Sequence, residues 1–165
     1  MKTSRTKDTI EVGTHSVANW PLRFKAWAGA PVLDTFGGKA ILDWNDEPVF
    51  AELAIVRALQ AEGFDAVWID GYRNLIWSSM SEPRTLPEHA KALMEKVVRF
   101  NGGRRQGCWD VLAWKGEDFM FVESKRKGKD SIKETQVRWL DAALRAGMDT
   151  SCFRICEWDL ANSLG

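Results

Sequence analysis

Two short apolar runs, Trp109–Trp114 and Phe119–Ser124, flank a four-residue polar turn, Lys115-Gly116-Glu117-Asp118, and leave few ways for the middle of this chain to fold. So short a turn joins antiparallel strands, because a parallel crossover needs a dozen or more residues. The resulting hairpin brings Asp110, at the mouth of the first run, and Glu123 and Lys125, at the end of the second, to one end of a sheet. Two carboxylates there make a site for a hard divalent cation, with an ammonium group beside it. Holding Glu123 and Lys125 at one centre is expected to require a bulge or twist, so the second strand should be irregular near Ser124.

The elements around the hairpin can be placed by pattern. Asn45-Asp46-Glu47-Pro48 reads as a helix start, with Val49, Leu53, Val56 and Leu59 at helical spacing and Gly63 as the stop. Phe64–Asp70 alternates and is rich in strand formers. Residues 71–86 read as a loop with a short strand at 74–78, and Pro87 opens a helix to Phe100. After the hairpin, Ser131 and Glu134 form a capping-box pattern ahead of Val137, Leu140, Ala143 and Leu144, and Gly147 ends that helix. Residues 152–156 give a last short strand. The order predicts a mixed α/β domain around one sheet. Residues 1–46 are read as an extended or strand-containing arm with a loose first dozen residues and no chemistry of their own. The main domain is expected at 47–165, with its core at 47–157 and an inserted segment at 71–106.

Composition bounds partners and compartment. Net charge is zero over 165 residues, so the whole-molecule field draws no polyanion, and any nucleic-acid contact must come from local basic patches. Two patches exist, 99–105 and 125–133, and solvated surface charge is the plain alternative for either. Among nine tryptophans, Trp68, Trp109, Trp114 and Trp139 lie in apolar segments and are expected in the core. Cys108, Cys152 and Cys156 form neither a CxxC nor an even framework. Cys152 and Cys156 on one strand would lie about 13 Å apart, too far for a disulfide, so free thiols are expected. Without an apolar leader or a bilayer-length apolar run, the expected location is the cytoplasm.

The chemistry narrows with two further residues, Ser124 and Glu52. Mg²⁺ keeps several waters and takes only one or two carboxylates, which Asp110 and Glu123 supply, and the Ser124 carbonyl could add an oxygen. A metal-acidified water with Lys125 orienting it and offsetting phosphate charge is a complete hydrolytic centre for a phosphodiester. Glu52 lies on an otherwise apolar helix near the face that should pack on the sheet, either as a surface ion-pair partner or as a further metal carboxylate.

Asp110-Val-Leu, then Phe121-Val-Glu123-Ser-Lys125, then Gln136-Val-Arg-Trp139-Leu140 with Gly147 closing the helix, resemble the PD-(D/E)XK nuclease superfamily and more closely its VRR-NUC branch. Upstream, Glu52 to Gly63-Phe64 looks like that family's first core helix and its acid, and Trp109 stands where the superfamily often has proline. The resemblance covers roughly 47–157. It implies a restriction-endonuclease-like core, a mixed sheet flanked by helices with Mg²⁺ (or Mn²⁺) at one sheet end. Glu52, Asp110 and Glu123 would be the metal-site acids, Lys125 the lysine beside the attacking water, and Gln136 a supporting hydrogen-bonding residue.

The implied partner is DNA, with branched, flapped or otherwise structured DNA as candidate substrates. Arg104, Arg105, Arg126, Lys127, Lys129 and Lys133 are the expected phosphate contacts, giving salt-sensitive affinity and little base specificity. Tyr72, Arg73 and Trp77 are weaker candidates for substrate-shape recognition, with core packing the expected fate of Trp77. His15 and His89 have no partner pattern. The leading expectation is a metal-dependent DNA nuclease, endonuclease or exonuclease, directed by structure. A binding module of the same fold without catalysis, or a structural α/β protein, are the alternatives. A two-fold dimer using the 1–46 arm would suit cleavage of both strands.

Overall fold

The computed structural model describes residues 7–161; the first six of the residues expected to be loose, and the last four of the expected 47–165 segment, lie outside it. The chain runs β1 (Thr9–Val12), β2 (His15–Asn19), β3 (Leu22–Ala26), β4 (Leu42–Trp44), β5 (Glu47–Val49), α1 (Ala51–Ala61), β6 (Asp65–Asp70) and β7 (Leu75–Trp77). Then follow α2 (Glu88–Phe100), β8 (Val111–Lys115), β9 (Asp118–Arg126), α3 (Glu134–Arg145) and β10 (Phe153–Leu160). The strands form one sheet in the order β5-β4-β3-β10-β9-β8-β6-β7, with β2 beside the start of β10 and β1 beside β2. β10 is parallel to β9, β2 and β3, while the β8–β9, β6–β8 and β6–β7 pairs are antiparallel.

The pleat sorts the core into two layers. Successive side chains on a strand face opposite sides. Met120 and Val122 of β9 therefore join Val111, Ala113 and Trp68 in the layer under α1, whose Leu53, Ile55, Val56 and Leu59 are fully buried. Phe121 faces the other way, with Leu112, Phe153 and Ile155, into the layer covered by Met94 and Val97 of α2 and Trp139 and Leu140 of α3. Each such aliphatic or aromatic side chain stabilises the fold by about 1.5–3 kcal/mol through burial. Trp68, Trp109, Trp114 and Trp139 are all buried, as the sequence predicts.

Several local expectations are corrected. The helix does not start at Asn45-Asp46-Glu47-Pro48. Asn45 and Asp46 both hold left-handed conformations (φ 47° and 70°) and form the two-residue turn of a hairpin in which Trp44 pairs with Glu47. That is the type I′ turn asparagine and aspartate tolerate best after glycine. α1 begins only at Ala51 and ends, as expected, at Gly63 (φ 93°). Residues 9–12 are not loose: they pair with β2, and Val12 is fully buried. Cys152 ends a 3₁₀ turn (Thr150–Cys152) ahead of β10 instead of lying in the strand. Ser131 does not cap α3; Lys133 occupies the cap position, and its N–H donates to Gln136 Oε1 at 2.9 Å.

The expected irregularity near Ser124 is also absent. The β9–β10 ladder runs unbroken from Phe121↔Phe153 to Arg126↔Trp158. No distortion is needed, because residues two apart on a regular strand share a face. Glu123 and Lys125 lie on the α3 side for that reason alone. The architecture is thus a mixed α/β core, a curled central sheet with α1 on one face and α2 and α3 on the other.

Candidate active site

Three elements meet where β8 and β9 part. The β8–β9 ladder ends at Val111↔Val122, and the Asp110 carbonyl accepts from Ile69 N–H at 2.7 Å. Asp110 and Glu123 then hold one another's strand. The Asp110 N–H donates to Glu123 Oε1 (3.0 Å), and Ser124 N–H donates to Asp110 Oδ2 (2.9 Å). Each carboxylate so satisfies a backbone donor that the separating strands leave unpaired.

Glu123 and Lys125 are both almost wholly buried, and Lys125 Nζ lies 3.0 Å from Glu123 Oε2. Gln136, from the first turn of α3, completes the set. Its Nε2 donates to Glu123 Oε2 at 2.5 Å, and its Oε1 accepts from Lys125 Nζ at 2.9 Å and from Lys133 N–H. One amide thus ties the acid–lysine pair to the helix start. Trp109 anchors the same turn through its indole N–H, which donates to the Gln136 carbonyl at 3.0 Å. Ser124 Oγ accepts from Trp158 Nε1 at 3.0 Å.

Glu52 reaches the site from the opposite face, in the first turn of α1. Its Oε1 accepts from Lys39 Nζ at 2.6 Å, while its Oε2 is buried with no hydrogen-bond partner among the described residues. An open pocket of about 480 Å³ joins Glu52 and Asp110, walled by Lys39, Asp70, Tyr72, Arg73 and Phe36. Asp70 is buried at the end of β6 and accepts from Arg73 N–H (3.2 Å) and Trp77 Nε1 (3.2 Å). Lys39 and Asp70 are residues that sequence reasoning missed. Asp70 carried a readable signal, an acid ending an alternating strand in the manner of Glu123. Lys39 carried none, since it lies in an irregular loop that only tertiary packing brings across α1.

The acids perturb one another. Burial, then the neighbouring Glu123 and Glu52 carboxylates, push the Asp110 carboxyl well above the usual carboxylate range. Burial also raises Glu123, opposed by the Lys125 ammonium. Among the described residues, no group of three or more His, Cys, Asp or Glu side chains converges closely enough to ligate one ion. A site with two carboxylates and water still suits Mg²⁺, which rarely takes more from a protein. The donor set is hard oxygen throughout. The partnerless Glu52 Oε2 and the carboxylate-crowded Asp110 are groups that a cation would relieve, so the residues fit such an ion.

The remaining expected site residues are basic and lie at the end of β9, on the way into α3 and in the turn after α2. Arg126 ends β9 with its guanidinium 5.2 Å from the Trp158 ring, and Lys127, Lys129 and Lys133 follow, exposed, on the way into α3. Arg104 and Arg105 are exposed in the turn after α2, where Arg105 donates to Asn74 Oδ1 at 3.2 Å. His15 pairs instead with Asp141 (3.0 Å), and His89 Nε2 is 3.1 Å from the Gly116 carbonyl. The three cysteines are free, and burial pushes the Cys108 and Cys156 thiols upward, away from thiolate chemistry.

Fold and site together define a PD-(D/E)XK-like nuclease domain with a restriction-endonuclease-like core. The VRR-NUC domain model matches residues 57–155, well over half of the chain, and the chain belongs to the VRR-NUC domain family. The matched interval contains Asp110, Glu123, Lys125 and Gln136, whereas Lys39 and Glu52 precede it. Comparison with curated proteins and with solved structures gave no significant match. No helix among the described residues is long and apolar enough to cross a membrane.

Proposed function

We propose that this nuclease domain is a metal-dependent DNA phosphodiesterase that acts on DNA structure with little regard to sequence. The observation that carries the reading is the buried Glu123–Lys125–Gln136 cluster at the sheet end beside Asp110. A lysine held dry against a carboxylate is costly unless its charge is used, because burying an ion pair costs several kcal/mol per ion in desolvation before the attraction offsets it.

Lys125 Nζ has three N–H groups, of which Glu123 and Gln136 engage two. The third is available to orient an attacking water or to donate to a non-bridging phosphate oxygen. Gln136 fixes the ammonium by accepting from it, and Glu123 pairs with it at 3.0 Å. Asp110 and Glu52, with Glu123 and the Ser124 carbonyl, would hold Mg²⁺ or Mn²⁺. Such an ion supplies an acidified water and offsets charge on the phosphate. Burial and the neighbouring carboxylates raise the Asp110 carboxyl, and a bound cation would offset that crowding of negative charge. The exposed cations Arg104, Arg105, Lys127, Lys129 and Lys133, with Arg126, provide phosphate contacts that position DNA without reading bases.

The test is incubation of the purified protein with supercoiled, linear, single-stranded and branched DNA in Mg²⁺, Mn²⁺ or EDTA. Cleavage that needs the ion and falls steeply with added salt supports the proposal. Cleavage that persists in EDTA overturns it. Metal-independent binding without cleavage of any substrate identifies a binding module instead.

A further inference from the structure

The pocket that joins Glu52 to Asp110 has features that a metal site does not need. Its volume, about 480 Å³, lies in the range of small-ligand sites, which runs from ~300 to ~1,000 Å³. Its rim carries Tyr72, the only tyrosine of the chain, 92% exposed. An aromatic ring left so open at the mouth of a polar pocket is a free stacking surface. The Arg73 guanidinium lies 5.4 Å from the Tyr72 ring and 3.8 Å from the Phe36 ring. Phe36 is in turn packed on Phe50 and Trp77, with centroids at 4.8 and 5.6 Å. Arg73 therefore connects the Tyr72 ring to an aromatic cluster anchored in the core.

The charges in the pocket are matched except at one point. Lys39 is paired with Glu52, and Arg73 with Asp70 at 3.4 Å, leaving Asp110 without a cation of its own among the described residues. A polyanion would enter only with a bound ion, and a base would enter only if freed from its stack. In a duplex the base faces are covered by neighbouring pairs, whereas an unpaired nucleotide exposes one to an aromatic side chain. We propose that this pocket is a subsite for one unpaired nucleotide next to the scissile phosphate, with its base stacked on Tyr72. The proposal rests on the nuclease reading and deepens it, by making single-stranded character at the cleavage point the feature that the domain recognises.

The experiment compares binding, without turnover, of a blunt duplex and of the same duplex with a single-stranded arm. Fluorescence anisotropy in Ca²⁺ is read for the wild type, Tyr72→Ala and Tyr72→Phe. Because Tyr72 is on the surface, neither variant disturbs the core. Tyr72→Ala should weaken the armed duplex about tenfold, the loss of one stacked base, and leave the blunt duplex within about twofold. Tyr72→Phe should retain armed-duplex affinity within about twofold, since the ring and not the hydroxyl stacks. An unchanged armed-duplex affinity in Tyr72→Ala, or equal losses on both DNAs, would overturn the subsite. The readout is affinity, so the subsite stands or falls whether or not the protein cuts DNA.

Discussion

Lys125 Nζ sits 3.0 Å from Glu123 Oε2 on one face of an undistorted strand. The pairing follows from the pleat, since a spacing of two returns a side chain to the same side of the sheet. The pair is buried against α3, and the Gln136 amide spans it, donating to the acid and accepting from the lysine. The acid–lysine pair and the docking of α3 are therefore one hydrogen-bonded unit.

Breaking that unit should cost stability as well as activity. Lys125→Ala leaves Glu123 buried without its cation and should destabilise the domain by about 3–5 kcal/mol. Urea unfolding checks this, and a change under about 1 kcal/mol would show that the pair is not desolvated in solution. Lys125→Met keeps the apolar stem and should lose less stability than Lys125→Ala.

Lys39 neutralises Glu52 at 2.6 Å and so competes with any divalent cation for that carboxylate. Lys39→Met should bind Mn²⁺ several-fold more tightly than the wild type by calorimetry, the direction set by removing a like charge within about 4–6 Å. Unchanged or weaker binding would mean that Glu52 takes no part in holding the ion.

The raised Asp110 carboxyl sets a pH dependence in the metal-free protein. A carboxyl whose folded value lies above its unfolded value of about 3.9 keeps a proton on folding that the unfolded chain releases. Its contribution to stability is full at low pH and is lost as pH rises through the raised folded value. Melting in EDTA should therefore fall with rising pH across that window, and Asp110→Asn should flatten the fall and melt higher than wild type at neutral pH. A melting temperature for Asp110→Asn below that of the wild type at neutral pH in EDTA would contradict this.

Gly107 fixes how α3 meets the turn after α2. It holds φ +85°, and a Cβ there would stand 2.0 Å from the Thr135 carbonyl oxygen, next to Gln136. Gly107→Ala must shift the start of α3 and strain a left-handed residue, at a cost of about 1–3 kcal/mol. Thermal unfolding measures it. Cleavage should fall further than stability alone explains, because Gln136 moves with that turn.

Much of this was legible in local pattern. The hairpin, the apolar faces of α1 and α3, and the grouping of Asp110 with Glu123 and Lys125 follow from residues close in sequence. Turn chemistry misled at Asn45-Asp46, where residues that can cap a helix instead adopt left-handed conformations in a hairpin. The capping-box pattern at Ser131 misled likewise, because Gln136 serves both Lys133 and Lys125. Lys39 was not legible at all. Its contact with Glu52 depends on Phe36 seating the 27–41 loop on Phe50 and Trp77, a long-range packing with no local periodicity.

The central claim is that the Lys125 ammonium, held by Glu123 and Gln136, serves metal-dependent phosphodiester cleavage. Single-turnover cleavage of a branched DNA in Mg²⁺, by wild type and by Lys125→Met shown to be folded by circular dichroism, tests it most directly. The account predicts a wild-type rate abolished by EDTA and a Lys125→Met rate lower by about 10²-fold or more, in the range for removal of a group that stabilises developing charge. A folded Lys125→Met that cuts at the wild-type rate would contradict it.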